Sequence, residues 1–119
     1  KAYNKGTVLA GVSAGAICWF DTGITDSWAS NLNYIDCLGI LPGSCCPHYD
    51  SEKDRKPSVH KFIEHEKIKS VYAIEDGAAV HFVDDVPYKN ISFFKNSKVF
   101  FVDKQNSIVQ EKPQKMVSI

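Results

Sequence analysis

Residues 7–20 read Thr-Val-Leu-Ala-Gly-Val-Ser-Ala-Gly-Ala-Ile-Cys-Trp-Phe, and their reading decides the fold. Thr7 to Val12 is short, apolar and not alternating, the pattern of a strand covered on both faces. Ala14 to Phe20 opens small and turns apolar, as the first turns of a helix do. Between them lies Gly11-Val12-Ser13-Ala14-Gly15, a Gly-x-Ser-x-Gly sequence. A tight strand-to-helix turn holds such a serine at backbone angles that most side chains avoid, and small neighbours relieve the crowding. The hydroxyl then projects at the C-terminal edge of the sheet, beside N–H groups able to stabilise an oxyanion. Ser13 is therefore the candidate nucleophile and the Ala14 N–H the candidate oxyanion donor. The competing reading is a plain Gly-Ser turn.

Working outward, Asp21 to Asn33 has the Gly, Asp, Ser and Asn content of a loop. Tyr34 to Leu41 is an apolar run that ends at Pro42-Gly43, a turn signal. Ser51 to Lys56 is a charged loop. Pro57-Ser58 opens a helical pattern in which Val59, Phe62 and Ile63 share one face. Val71 to Ile74 reads as another buried strand, and Asp76-Gly77 turns the chain. From Ala78 onward the period becomes strand-like, with turns at Lys95-Asn96-Ser97 and Gln105-Asn106-Ser107, so an antiparallel meander is expected. The order describes an α/β fold in a single domain over residues 1–119. Its two or three parallel strands are too few to stand alone, because parallel strands need both faces covered. We expect the C-terminal portion of a larger fold, completed by an N-terminal region or a partner chain.

The 119 residues carry 14 basic and 14 acidic side chains, a formal net charge of +0. Such a balance, with no basic run, makes the chain a poor candidate for non-specific nucleic-acid binding, which rests on neutralising phosphates. The 44% hydrophobic fraction argues against disorder. No apolar run reaches membrane-span length, and nothing at the N-terminus has the order of a secretory signal. The cytoplasm is the expected location. Cys18, Cys37, Cys45 and Cys46 then read as reduced thiols acting as small hydrophobes. No metal-ligand cluster, phosphate-binding glycine loop or cofactor fingerprint is present, so no cofactor is expected.

A serine nucleophile needs a base and an orienting acid. His60 and His65 lie on or beside a charged helix, where solvation explains them, and His81 lies in an alternating strand of undecided parity. His48 follows Pro47 on a loop leaving the sheet edge, where a titratable ring is costly unless it has partners. His48 is the candidate base. Glu75 ends the strand Val71–Ile74 and falls on the same edge as the elbow. Glu75 is the candidate acid, with Asp26 and Asp50 as competitors. The resulting order of serine, histidine, acid departs from that of the α/β-hydrolases.

Three segments together, Gly-Val-Ser-Ala-Gly-Ala at 11–16, Pro-His-Tyr-Asp at 47–50 and Ala-Ile-Glu-Asp-Gly at 73–77, resemble peptidase E. This is the aspartyl dipeptidase group of serine peptidases, related to cyanophycinase. The resemblance implies a flavodoxin-like sandwich of the class I glutamine amidotransferase type, with serine at the elbow. It places the nucleophile on Ser13, the histidine on His48 and the acid on Glu75, although Asp76 interrupts the usual Glu-Gly pair. Asp26 is the alternative acid. It implies hydrolysis of dipeptides with an N-terminal aspartate, whose carboxylate a cation would hold. Arg55, the one arginine of the chain, is the candidate for that clamp. The family's chains are roughly twice this length, so a homodimer or a missing N-terminal segment is expected to complete the fold beside the small peptide substrate.

Overall fold

The computed structural model describes residues 1–27 and 31–119. In chain order the elements are α1 (Ala14–Ile17), β1 (Phe20–Thr25), β2 (Asn33–Asp36), β3 (Leu41–Cys46), α2 (Arg55–Glu64), β4 (Ser70–Ile74), β5 (Ala78–Val83), β6 (Val86–Ser92), β7 (Val99–Gln105), β8 (Ile108–Pro113) and β9 (Met116–Ser118). Six strands form one sheet in the order β2-β1-β3-β4-β7-β8, and β5-β6-β9 form a second. β1, β3 and β4 run parallel, while β2 and β7 flank them antiparallel. The result is an α/β fold consistent with a flavodoxin-like sandwich.

Strand periodicity divides the core between the two faces of the large sheet. Cys46, Val71 and Ala73 point to one face and meet Val59 and Ile63 of α2. Those two helix positions are four apart, and both are essentially inaccessible, as the pattern of the sequence requires. Cys45 points to the other face, where it joins Ile17, Phe20 and Leu41 with Tyr72 and Phe82 packed against them. Burial pushes the Cys46 thiol up to about 12 and the Cys45 thiol further in the same direction. Both behave as apolar filler.

Several expected elements fall elsewhere. Thr7–Val12 forms no strand, and Val8 and Val12 are 88% and 86% exposed. A strand exists only where a neighbouring strand takes up its N–H and C=O groups, and among the described residues only turn bonds at the two ends do so, from the Thr7 N–H to Ala2 and from the Gly15 N–H to Val12. The helix after the elbow is four residues long and gives way to β1, which takes Phe20 from the expected helix and buries Ile24 and Thr25 within the stretch read as a loop. Pro42 and Gly43 lie inside β3 and do not end it. The meander is split. β5 and β6 close a hairpin through Asp84 and Asp85, both at positive φ. The chain then crosses to the large sheet, where β7 pairs with β4. β9 returns to run parallel with β6.

Candidate active site

Gly11 makes the elbow possible. A Cβ at Gly11 would stand 1.9 Å from the carbonyl oxygen of Gly15, so only glycine allows this approach. Gly15 has open space where its Cβ would be. Between them Ser13 has φ 56° and ψ −117°, a strained conformation for a side chain with a Cβ. The strain aims its hydroxyl away from the chain and out of α1. Ala14 is the first residue of α1, so its N–H has no intrahelical acceptor and points to the same side.

The parallel strands β3 and β4 bring two loops to this edge. β3 ends at Cys46, and Pro47 leads into His48 at φ 55°. The Ser13 hydroxyl donates to Nε2 of His48 over 2.8 Å. On the far side of the ring, Nδ1–H donates to Oδ1 of Asp76 over 2.8 Å. A carboxylate at Nδ1 fixes the tautomer that leaves Nε2 with a free lone pair for the serine proton. The Asp76 carboxyl lies below its ordinary range. A hydrogen bond from the Ser51 side chain is the chief cause, partial burial opposes it, and His48 adds to the lowering. Asp76 is thus ionised at neutral pH, as an orienting acid must be.

The carboxylate at the ring is therefore Asp76 and not Glu75. Glu75 faces β7, where its N–H donates to the Lys98 carbonyl over 3.0 Å and its Oε2 accepts the Lys98 N–H over 2.8 Å. Asp76 is the next residue, already in the turn before Gly77 at φ 79°, and it swings back toward β3. Asp26 is exposed at the end of β1 and is not the partner of His48. Arg55 is also placed elsewhere. It is buried at the start of α2, where it donates to the Ile24 carbonyl over 2.8 Å and to Glu52 Oε1 over 3.0 Å. Its fork is spent on joining α2 to β1.

A cleft of about 920 Å³ opens over Ser13 and His48. Trp19, Phe20, Leu41, Ile74 and Phe82 supply apolar wall, and Glu75, Asp76, Asp84 and Asp85 supply carboxylates. Among the described residues no lysine or arginine lines it. Val71 and Ala73 face α2, so the side chains beyond Ile74 leave the strand alternately, and two adjacent carboxylates cannot both face the loop at His48.

An elbow hydroxyl bonded to an imidazole that a carboxylate orients is the site class of nucleophilic hydrolases. Residues 1–87 match the profile of peptidase family S51, and the chain belongs to that family, in agreement with the resemblance to peptidase E. It is also similar to "Uncharacterized peptidase YgaJ" of Bacillus subtilis (strain 168), with 48% identity over 102 residues, 86% of this chain. The chain spans 44% of that relative's length. Among the described residues no helix is long and apolar enough to cross a membrane.

Proposed function

We propose that the chain carries the nucleophile, base and acid of a serine peptidase acting on short peptides. The continuous hydrogen-bonded line from Ser13 through His48 to Asp76, 2.8 Å at each step, carries this reading. His48 takes the Ser13 proton as the hydroxyl attacks the peptide carbonyl. The Ala14 N–H stabilises the tetrahedral oxyanion. His48 then protonates the leaving amine, and water resolves the acyl-enzyme as His48 accepts its proton. Asp76 keeps the ring in the required tautomer and stabilises its charged form.

The family resemblance supports dipeptides with an N-terminal aspartate as substrates. With Arg55 buried, the cation for that aspartate comes from outside the described lining of the cleft. A second oxyanion donor beside Ala14 is likewise to be supplied, and loss of one such donor costs on the order of 100- to 1,000-fold in rate. We therefore expect slow turnover by this chain alone. The segment 7–12, with Val8 and Val12 exposed, supports a need for further strands, from an N-terminal region or from a partner chain. Hydrolysis of an N-terminal aspartyl peptide amide is the test, compared with the alanyl and lysyl equivalents and with Ser13→Ala. The expected result is slow, Ser13-dependent release favouring aspartate. Fast turnover by a monomer contradicts the need for further strands, and turnover that survives Ser13→Ala contradicts the mechanism.

A second reading, a non-catalytic module that pairs through its sheet edge, draws on the same exposed segment. Sedimentation distinguishes it: a dimer whose Ser13 ignores a serine-directed fluorophosphonate favours this reading.

A further inference from the structure

We propose that Asp50 is a positioning residue: by accepting the backbone N–H of Asp76, it selects which of two adjacent carboxylates reaches His48. The inference rests on the triad reading and goes beyond it. Glu75 and Asp76 follow one another at the end of β4, and each is a carboxylate on a short or medium stem. Side-chain packing does not choose between them. The Asp76 side chain is 43% exposed and that of His48 is 30% exposed, so neither is wedged in place. The choice falls to the polar contacts of the backbone.

Two sets of contacts pull the consecutive residues in opposite directions. Glu75 is bonded through both its N–H and its carboxylate to Lys98, at the start of β7. Asp76 is bonded through its N–H to Oδ1 of Asp50, over 2.8 Å, on the opposite flank of β4. A carboxylate accepting a backbone N–H is a charge-assisted bond, stronger than a neutral one. The Tyr49 N–H donates to the Ile74 carbonyl over 3.1 Å, so the loop and the strand end are joined at successive residues. His48 and Asp50 belong to the same loop. The segment that carries the base therefore also carries the anchor of its acid, and the two move together. The Ser97 hydroxyl holds the Asp76 carbonyl over 2.9 Å and leaves the N–H side to Asp50.

Without the Asp50 acceptor, Asp76 sits in a turn next to Gly77 with a half-exposed side chain, held on its carbonyl side by Ser97 alone and free to swing from Nδ1. A misplacement of about 1 Å in a catalytic group costs on the order of 100-fold. Two readouts on the chain as it stands test this. One is the downfield proton resonance of His48 Nδ1–H, which depends on the bond to Asp76 and not on turnover. The other is the rate at which a fluorophosphonate labels Ser13. Asp50→Ala is expected to broaden or abolish the resonance and to slow labelling roughly 10- to 100-fold. Asp50→Asn keeps an oxygen acceptor and is expected to stay close to wild type on both. Should Asp50→Ala not fold, Asp50→Ser, one atom too short to reach, takes its place.

An unchanged resonance and labelling rate in a folded Asp50→Ala or Asp50→Ser chain overturns the proposal. So does an Asp50→Asn chain as impaired as Asp50→Ala. Labelling that is unchanged in Ser13→Ala overturns the serine reading instead, and the resonance still judges Asp50.

Discussion

His48 and His60 each hold a carboxylate, and only one of them has anything to activate. His48 lies at positive φ in a loop at the sheet edge, with Asp76 on one nitrogen and Ser13 on the other. His60 lies within α2, and its Nε2 is 3.2 Å from Glu111 Oε1 of β8 and 3.2 Å from the Tyr49 hydroxyl. Lys56 completes that second group, 3.1 Å from Glu111 Oε2. Burial, and then the bond it donates to Glu111, hold the Tyr49 hydroxyl well above its ordinary range, so it remains a donor. The second cluster is a brace between α2, β8 and the residue after His48. The same residue types make a site at one place and a strut at the other. A strained serine hydroxyl at an open cleft makes the difference.

The largest effect that separates the two clusters is expected at Ser13. Ser13→Ala should lower the rate of acyl transfer by on the order of 10⁴- to 10⁶-fold, whereas His60→Ala should leave it near wild type. Hydrolysis and active-site labelling measured side by side check this, and equal losses would erase the distinction.

The next comparison is between the two neighbouring carboxylates. Asp76→Asn should cost on the order of 10⁴-fold in rate by favouring the wrong tautomer. Glu75→Gln should leave the rate largely intact, because Glu75 faces Lys98. A reversal of that ranking would return the acid to Glu75.

The elbow glycines give a smaller, structural contrast. Gly11→Ala forces a methyl against the Gly15 carbonyl and should destabilise the chain by about 1–3 kcal/mol or prevent folding. Gly15→Ala meets nothing and lies in the first turn of α1, so it should be neutral or stabilising by up to about 1 kcal/mol. Denaturant unfolding of the two variants reads the difference.

The smallest effect belongs to the brace. Burial raises the Glu111 carboxyl, but the bonds from Tyr49, Lys56 and His60 outweigh it and leave the group below its ordinary value. A carboxyl lowered in the folded state adds stability above the ordinary carboxylate pKa and loses it as pH falls through the folded value. Stability should therefore decline more gently below about pH 4.5 in Glu111→Gln than in the native chain. Urea midpoints between pH 3 and 7 test the slope, and identical slopes would deny Glu111 this role.

Much of this arrangement was legible from residue order. The spacing of Val59 and Ile63 marked the buried face of α2, and Val71–Ile74 marked a central strand. Gly-x-Ser-x-Gly marked the elbow, and the placement of His48 after Pro47 marked the imidazole that meets Ser13. What escaped depends on contacts between distant segments. Thr7–Val12 has the composition of a strand, but composition does not supply a partner. Arg55 looked free in a charged loop because nothing local shows that the Ile24 carbonyl and Glu52 meet its guanidinium. Asp76 displaced Glu75 through Lys98 and Asp50, which lie 22 residues after and 26 residues before it. The turns at Lys95-Asn96-Ser97 and Gln105-Asn106-Ser107 were readable, but the crossing from β6 to β7 follows from burial of Val99 and Val102 in the large sheet.

Labelling of the chain with a fluorophosphonate, followed by peptide mapping, tests most directly whether position 13 bears an activated hydroxyl. The adduct is expected on Ser13 alone, formed fast in the native chain and in Glu75→Gln and slowly in His48→Ala and Asp76→Asn. An unmodified Ser13, or an adduct formed equally fast without His48 and Asp76, would show that the hydrogen-bonded line through the three residues does not activate the serine.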